Sequence, residues 1–496
     1  MNGPRAAWPA LAVVVASLGG FLVAAAVDFE STSAWVASSF AWVADGWGAA
    51  WQWLLLVNLL VAVGLAASPW GRIRLGGAKA PSMSTHQWVA VLFCTLLAGG
   101  GVFFSAAEPS MHLGTPPPVF ADRAAGSLQA AYAALAQSYL HWGFLAWSIV
   151  GTCGAIVMLR EHERGAPLRP STLLRPLLGR YAEQPILAGL VDGVSMVAAL
   201  VGTIGPLGFL GLQLAYALEV KLGVSGGLQT QVLVIALLVA VAATSAALGI
   251  ERGIAVLSRL NVGLACVAFV LLIALGPTTF LGQALAHGLA DYAAEFPVLA
   301  LTRSNPAWLR GWTVFYWAWF LGYGPVMAVF VAKVSQGRTV RELVIGVGVL
   351  APLATNLWFT ALGGTGMGLE LLNPGVVSGA LSEGGMPAAL FAILDQLPAS
   401  GLLTVIFVVL VFAFLATSAD SIAFTTAMVT SGQADPPRWM RVGWALVMGL
   451  VASVLVAMGE GSVTALQSLI VLAAPPVSLI MAAAVIGAPL SLRRSS

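Results

Sequence analysis

The chain has 496 residues, of which 59% are hydrophobic and only 8% charged, with a formal net charge of +2. Soluble domains carry about a quarter charged residues, so this composition, with a mean hydropathy of +0.92, excludes a water-soluble fold, and no nucleic-acid partner is expected. Apolar runs of about 20 residues, the length a helix needs to cross about 30 Å of hydrocarbon, recur from end to end and make the lipid bilayer the surroundings of the whole chain.

In chain order the runs predict an all-α membrane protein of about twelve transmembrane helices. They fall at 7–27, 49–68, 86–107, 130–159, 186–218, 229–249, 254–275, 309–334, 343–366, 400–430, 438–459 and 466–489. The first is too long for a signal peptide and lacks a small-residue cleavage site, so it reads as a retained span. Between the seventh and eighth spans, 276–308 is less apolar. His287, Asp291 and Glu295 recur there at four-residue spacing, which predicts an outer amphipathic helix lying along the membrane surface. Cys94, Cys153 and Cys266 all sit in apolar runs and offer neither a disulfide framework nor zinc spacing.

Lys and Arg collect in cytoplasmic loops. With the N-terminus inside, 18 of the 22 basic residues fall in inner segments, and only Arg123, Lys221, Arg303 and Arg310 lie outside. An even number of spans with both termini cytoplasmic explains that asymmetry, and no soluble regulatory domain is expected.

Glycine interrupts two spans. The third contains Gly99-Gly100-Gly101 and the eighth Gly322-Tyr323-Gly324-Pro325. Adjacent glycines and a proline favour unwinding, and unwound backbone in a membrane must be buried or line a polar cavity; close packing of helices on small residues is the other reading. The two spans are five apart and so run in opposite directions, the pattern of inverted-repeat transporters. One transporter domain over 1–496 is expected, with two N-terminal spans (1–80), a first repeat (81–275), the outer helix (276–308) and a second repeat (309–496). The solute site is expected where the two interrupted segments face each other.

The fourth span carries His141-Trp142-Gly143-Phe144-Leu145-Ala146-Trp147 and the eighth Phe315-Tyr316-Trp317-Ala318-Trp319-Phe320. Tryptophan prefers membrane interfaces, so clusters within a span want another reason. One is a quaternary ammonium held by aromatic faces; packing between helices is the alternative. His141 reads as a neutral, hydrogen-bonded packing residue. Asp420 reads as the one acid deep within a span, a functional candidate on that ground.

Taken together, Arg74-Leu75-Gly76-Gly77, Glu108-Pro109, His141-Trp142-Gly143 and Tyr316-Trp317-Ala318-Trp319 resemble the betaine/carnitine/choline transporters. So do Ser335-Gln336-Gly337-Arg338-Thr339, Thr417-Ser418-Ala419-Asp420-Ser421 and Pro436-Pro437-Arg438-Trp439. The resemblance runs over nearly the full length. It implies a LeuT-like 5+5 inverted repeat, spans 3–7 and 8–12, with two extra N-terminal spans. It also implies alternating access, a homotrimer in the cell (inner) membrane, and an onium solute of the betaine, choline or carnitine type.

By the same resemblance the substrate site consists of Trp142, Trp147, Trp319, Phe320 and Tyr323 with the glycines Gly99, Gly100 and Gly101. Val150 replaces a box tyrosine, and Phe320 and Tyr323 stand where tryptophan is usual. Sodium is the implied coupling ion, with no other cofactor. One sodium site retains Phe414, Thr417 and Ser418, with Cys94 and Leu97 at its third-span positions. The other retains Thr203 but has Ala199 for its companion threonine and Val326 for an aromatic. The loop holding Lys333, Arg338 and Arg341 is implied in cytoplasmic gating. A sodium-independent exchanger, or a carrier of another small zwitterionic osmolyte, stays open as an alternative. A non-transporting solute sensor fits less well because no output domain is seen, and no acid–base pair or metal cluster within the spans suggests an enzyme.

Overall fold

The computed structural model describes residues 8–81, 83–96, 99–248, 254–433, 435–460 and 463–493. Among these the fold is helical throughout, with one isolated antiparallel bridge between Arg74 and Thr339 in place of any strand.

Helix α1 (Trp8–Val27) is followed by α2 (Phe29–Ala67). Asp28 separates them and caps α2 by accepting the Ser31 N–H at 2.9 Å, a bond that holds its carboxyl below the ordinary carboxylate range. The second span was expected at 49–68, yet its helix begins twenty residues earlier. Serines, threonines and Asp45 dilute the hydropathy of that first half without breaking the helix. The third span comprises α3 (Thr85–Leu96) and α4 (Gly99–Gly114), with 97–98 outside the described residues. The fourth is three pieces, α5 (Leu128–Trp142), α6 (Phe144–Gly151) and α7 (Cys153–Glu163). Then come α8 (Pro185–Leu222), α9 (Leu228–Leu248), α10 (Ile254–Leu275) and α11 (Thr278–Leu301). The second half holds α12 (Phe315–Val334), α13 (Val340–Leu372), α14 (Ser400–Ser431), α15 (Arg438–Met458) and α16 (Thr464–Arg493).

Ten of these described helices are long and apolar enough to cross a membrane. The pair Leu260–Leu275 and Thr278–Leu301, bent by 108°, makes eleven. The difference from the expected twelve lies at the third span, where α3 and α4 flank the two residues not described. Along α11 the buried residues Leu281, Ala284, Gly288 and Tyr292 recur at helical spacing, while Asp291 pairs with Arg123 at 2.6 Å.

In the eighth span backbone irregularity does not sit where the glycines suggested, and in the third span residues 97–98, next to Gly99, lie outside the described residues. Gly99–Gly101 are helical within α4, and α12 runs unbroken through Gly322–Gly324 and Pro325. Glycine here serves close packing, the other reading of both segments. A Cβ on Gly100 would meet the Trp319 ring at 2.2 Å, and one on Gly324 would meet Met481 Sδ at 2.7 Å. The breaks fall instead in the fourth span, at Gly143 (φ −103°, ψ −132°) and Thr152 (φ −109°, ψ −86°). A side chain at Gly143 would stand 2.2 Å from the Tyr139 carbonyl oxygen, so the turn there requires glycine. Trp142 and Trp147 sit on either side of it.

Candidate functional site

The eighth span supplies the wall of the site. Trp319 and Phe320 on α12 and Trp142 at the end of α5 form a ring cluster. The Trp142 centroid lies 5.8 Å from Trp319 and 5.6 Å from Phe320, each nearly perpendicular, and Trp319 is 6.3 Å from Phe320. Trp319 is pinned from behind: its Nε1 donates to the Gly202 carbonyl on α8 at 3.0 Å, and its ring lies against Gly100. The third-span glycines therefore meet the eighth span at an indole and not at the other glycine segment.

Tyr323, one turn further along α12, shares a hydrogen bond with Thr203 at 3.0 Å. This joins a predicted cage residue to a predicted ion ligand. Trp147 stands apart from the cluster, its Nε1 donating to Thr355 Oγ1 on α13 at 3.0 Å. Trp142 and Trp147 keep 7% and 6% exposure while their neighbours Tyr139 and Tyr316 keep none, and Phe320 and Tyr323 are only half-buried. Trp142 and Trp319 thus belong to the packed core, with Phe320 and Tyr323 packed against it.

Trp142 is oriented by a group to which the sequence reading assigned no role. Glu108 on α4 is fully buried. Its Oε2 accepts from Trp142 Nε1 at 2.9 Å and from the Tyr316 hydroxyl at 2.7 Å. Its Oε1 accepts from His141 Nδ1 at 2.6 Å, with His112 Nε2 at 3.5 Å. His141 Nε2 in turn lies 2.9 Å from both Thr313 Oγ1 and Gln137 Nε2. Two potential donors facing Nε2 fit a neutral imidazole that carries its proton on Nδ1 and gives it to the carboxylate. Asp420 is therefore not the one buried acid of the spans. The third span was expected to end at 107, because Glu108-Pro109-Ser110 reads as polar, whereas α4 continues to Gly114. An acid followed by a histidine four residues on, next to the His141-Trp142 string, was the available signal.

Glu108, His112 and His141 are the one trio among the described residues whose ligand atoms lie within 4.8 Å of one another. The 2.6 Å contact is a hydrogen bond, shorter than the roughly 3.3 Å edge that two ligands sharing a tetrahedral ion at about 2.0 Å would keep. The chemistry of the trio is that of a satisfied carboxylate.

Three of the predicted ion ligands, Phe414, Thr417 and Ser418, lie on α14. Thr417 Oγ1 is 2.9 Å from the carbonyls of both Ala413 and Phe414 and receives Asn261 Nδ2 at 3.2 Å. Back-bonding to the preceding turn thus occupies the hydroxyl proton and leaves its lone pairs as acceptors. Ser418 is half-buried beside it. Asp420, one turn on, accepts from Ser245 Oγ at 2.6 Å. The side chain of Cys94 and the whole of Leu97 lie outside the described residues.

At the far end of α12, two strings 260 residues apart close into a clasp. Leu75 N–H donates to the Arg338 carbonyl at 2.9 Å, Gly337 N–H to the Leu75 carbonyl at 2.7 Å, and Arg74 Nη1 to the Gly337 carbonyl at 2.8 Å. Gly76 and Gly337 take φ of +82° and +79°, conformations that favour glycine. The Arg338 guanidinium lies over Trp88 at 4.8 Å and bonds the Met83 carbonyl and Thr85, while Trp88 Nε1 donates to Ser335 at 2.9 Å.

Repeated membrane-crossing helices around a buried aromatic and polar centre define a multi-pass membrane protein. A family profile described as BCCT, betaine/carnitine/choline family transporter, matches residues 9–496. The chain belongs to that family, and is a transporter and not an enzyme. It is 42% identical over 470 residues to glycine betaine transporter 2 of Vibrio parahaemolyticus, covering 95% of this chain and 87% of that one. It is 32% identical to the ectoine/hydroxyectoine transporter of Virgibacillus pantothenticus, covering 87% and 86%. With the glycine betaine transporter OpuD of Bacillus subtilis identity is 31%, covering 90% and 86%.

Proposed function

We propose that this protein is a secondary active transporter that takes up a quaternary-ammonium zwitterion, glycine betaine first, by alternating access driven by sodium. One observation carries the reading: Trp142, Trp319 and Phe320 meet at 5.6–6.3 Å, with Trp142 held by a buried carboxylate. Aromatic faces hold an onium group through their quadrupole without asking it for hydrogen bonds. In this reading the three rings, now in contact, part to admit the trimethylammonium group. Tyr323 completes the wall, Trp147 lines the route beside the Gly143 break, and the close approach of Gly100, between Gly99 and Gly101, lets Trp319 reach its place. The two glycine betaine transporters among the relatives support this solute.

The sodium ion would lie near Phe414, Thr417 and Ser418, with Thr203 joining the second site to Tyr323. A LeuT-like arrangement of spans 3–7 and 8–12, cytoplasmic termini in the cell membrane and assembly as a homotrimer belong to the same reading. A carrier of another zwitterionic osmolyte is the second reading. It is favoured by Val150, Phe320 and Tyr323 in the wall and by the ectoine/hydroxyectoine relative.

Labelled betaine uptake into proteoliposomes, with and without an inward sodium gradient, is the test. Accumulation that needs the gradient is expected. Uptake indifferent to it overturns sodium coupling and favours an exchanger. Failure of betaine, choline, carnitine and dimethylsulfoniopropionate all to bind overturns the substrate class.

A further inference from the structure

Three donors from two helices converge on Glu108: the Trp142 indole and His141 Nδ1 from α5, and the Tyr316 hydroxyl from α12. An indole N–H only donates, so Oε2 is an acceptor. With His141 fitted as neutral, the carboxylate keeps a negative charge that the hydrogen bonds stabilise without cancelling. Such a charge within a membrane domain is costly and wants a cationic counterpart. His112 Nε2, 3.5 Å from Oε1, is within ion-pair reach if protonated but makes no hydrogen bond to it.

The carboxylate sits one ring behind the cage. Trp142 gives its N–H to Glu108 and shares the cluster with Trp319 and Phe320, and Tyr316 stands 5.2 Å from the Trp142 centroid. An indole that donates to an anion gains electron density on its ring, and a fixed negative charge in a low-dielectric interior acts over several ångströms. Both effects favour a cation on the ring and neither favours a neutral group of the same shape.

We infer that Glu108 is a specificity-determining residue: acting through Trp142, it makes the cage select the positive charge of the solute and not only its shape. This rests on the proposed onium substrate. Glu108 touches the rings and not the solute, and is a positioning residue in that sense.

The experiment compares betaine with 3,3-dimethylbutanoate, in which a quaternary carbon replaces the nitrogen and the positive charge is gone. Both affinities are measured by quenching of intrinsic tryptophan fluorescence in the purified transporter, and the readout is their ratio. Wild-type protein that binds neither compound defeats the substrate reading before any variant is made. In Glu108→Gln, whose amide keeps the shape and the acceptor oxygen, the betaine preference is expected to fall roughly tenfold, the scale of a desolvated cation–π contribution. Loss of packing alone would weaken both ligands alike, so an unchanged ratio overturns the inference.

Should Glu108→Gln not fold, two phenylalanine variants carry the same test. Trp142→Phe keeps a ring but loses the N–H that Glu108 accepts; Trp319→Phe loses an N–H given to the Gly202 backbone. The ratio is expected to fall several-fold further in the first. Equal ratios overturn the inference.

Discussion

The two ends of α12 are held by different means. At one end Tyr316 is tied to Glu108, a carboxylate with no exposure that gathers side chains from α4, α5 and α12. About 28 Å away, at 1.5 Å per residue, Ser335–Thr339 is tied to Arg74 and Leu75 mostly through backbone groups over glycine turns. Glu342 there, 3.7 Å from Arg338, keeps 45% exposure, although Leu75, Ser335, Gly337 and Arg338 are themselves buried. Backbone pairs near a surface can exchange their partners for water at little net cost, because an intramolecular hydrogen bond is worth only about 1 kcal/mol over hydration. A buried carboxylate cannot, since losing its partners leaves polar groups stranded in a low dielectric. A chain that alternates access with these two ends should find the clasp easier to open than the network.

Removing the hub breaks that comparison most severely. Glu108→Ala leaves the buried donors of His141, Trp142 and Tyr316 without their acceptor, and each donor stranded in this way costs about 1–3 kcal/mol. The expected result is a large drop in thermal unfolding midpoint in detergent together with loss of uptake. At the clasp, Gly337→Ala must hold an L-residue at φ +79° with its Cβ 2.4 Å from the Ala80 carbonyl oxygen. Strain of that kind costs about 1–3 kcal/mol, so a smaller midpoint shift is expected. Equal shifts would show that the clasp is as closed to water as the network.

How much of this was open to sequence reading follows from which signals are local. Hydropathy located the spans because bilayer thickness fixes their length, yet it truncated α2, where Ser31 to Ser39 lower the average without preventing a helix. Glycine was ambiguous in principle: Gly100 and Gly324 serve close packing against Trp319 and Met481, and a run of letters cannot separate packing from unwinding. The actual break at Gly143 depends on one glycine beneath the Tyr139 carbonyl, a contact that only the fold creates. Trp142, Trp319 and Phe320 were legible as aromatic strings, and the fold joined them. Glu108 was visible as part of a family string, but its role was not, because the polar residues beside it look like a span end. Its importance lies in Tyr316, 208 residues away, and no local pattern carries that distance. The strings Arg74–Gly77 and Ser335–Thr339 were visible for the same reason as the aromatics, while their pairing was not.

The smallest expected effect sharpens the contrast between the two ends. Trp88 touches the clasp in two ways: its Nε1 donates to Ser335, and its ring lies under the Arg338 guanidinium at 4.8 Å. Gly346 also packs flush on the ring, where a Cβ would come within 2.3 Å. Trp88→Phe keeps an aromatic face for Arg338 and most of the packing but deletes the N–H, leaving the Ser335 hydroxyl to find another partner. The cost expected is about 1 kcal/mol, read as a shift of a few degrees at most in the unfolding midpoint with betaine uptake retained. Because this hydrogen bond ties α3 to the loop after α12, weakening it should favour the state in which the clasp is open. Faster modification of a cysteine introduced at Gln336 by a water-soluble maleimide would report that opening. A rate equal to that of the parent cysteine variant would mean that the backbone pairs of Leu75, Gly337 and Arg338 hold this end closed by themselves.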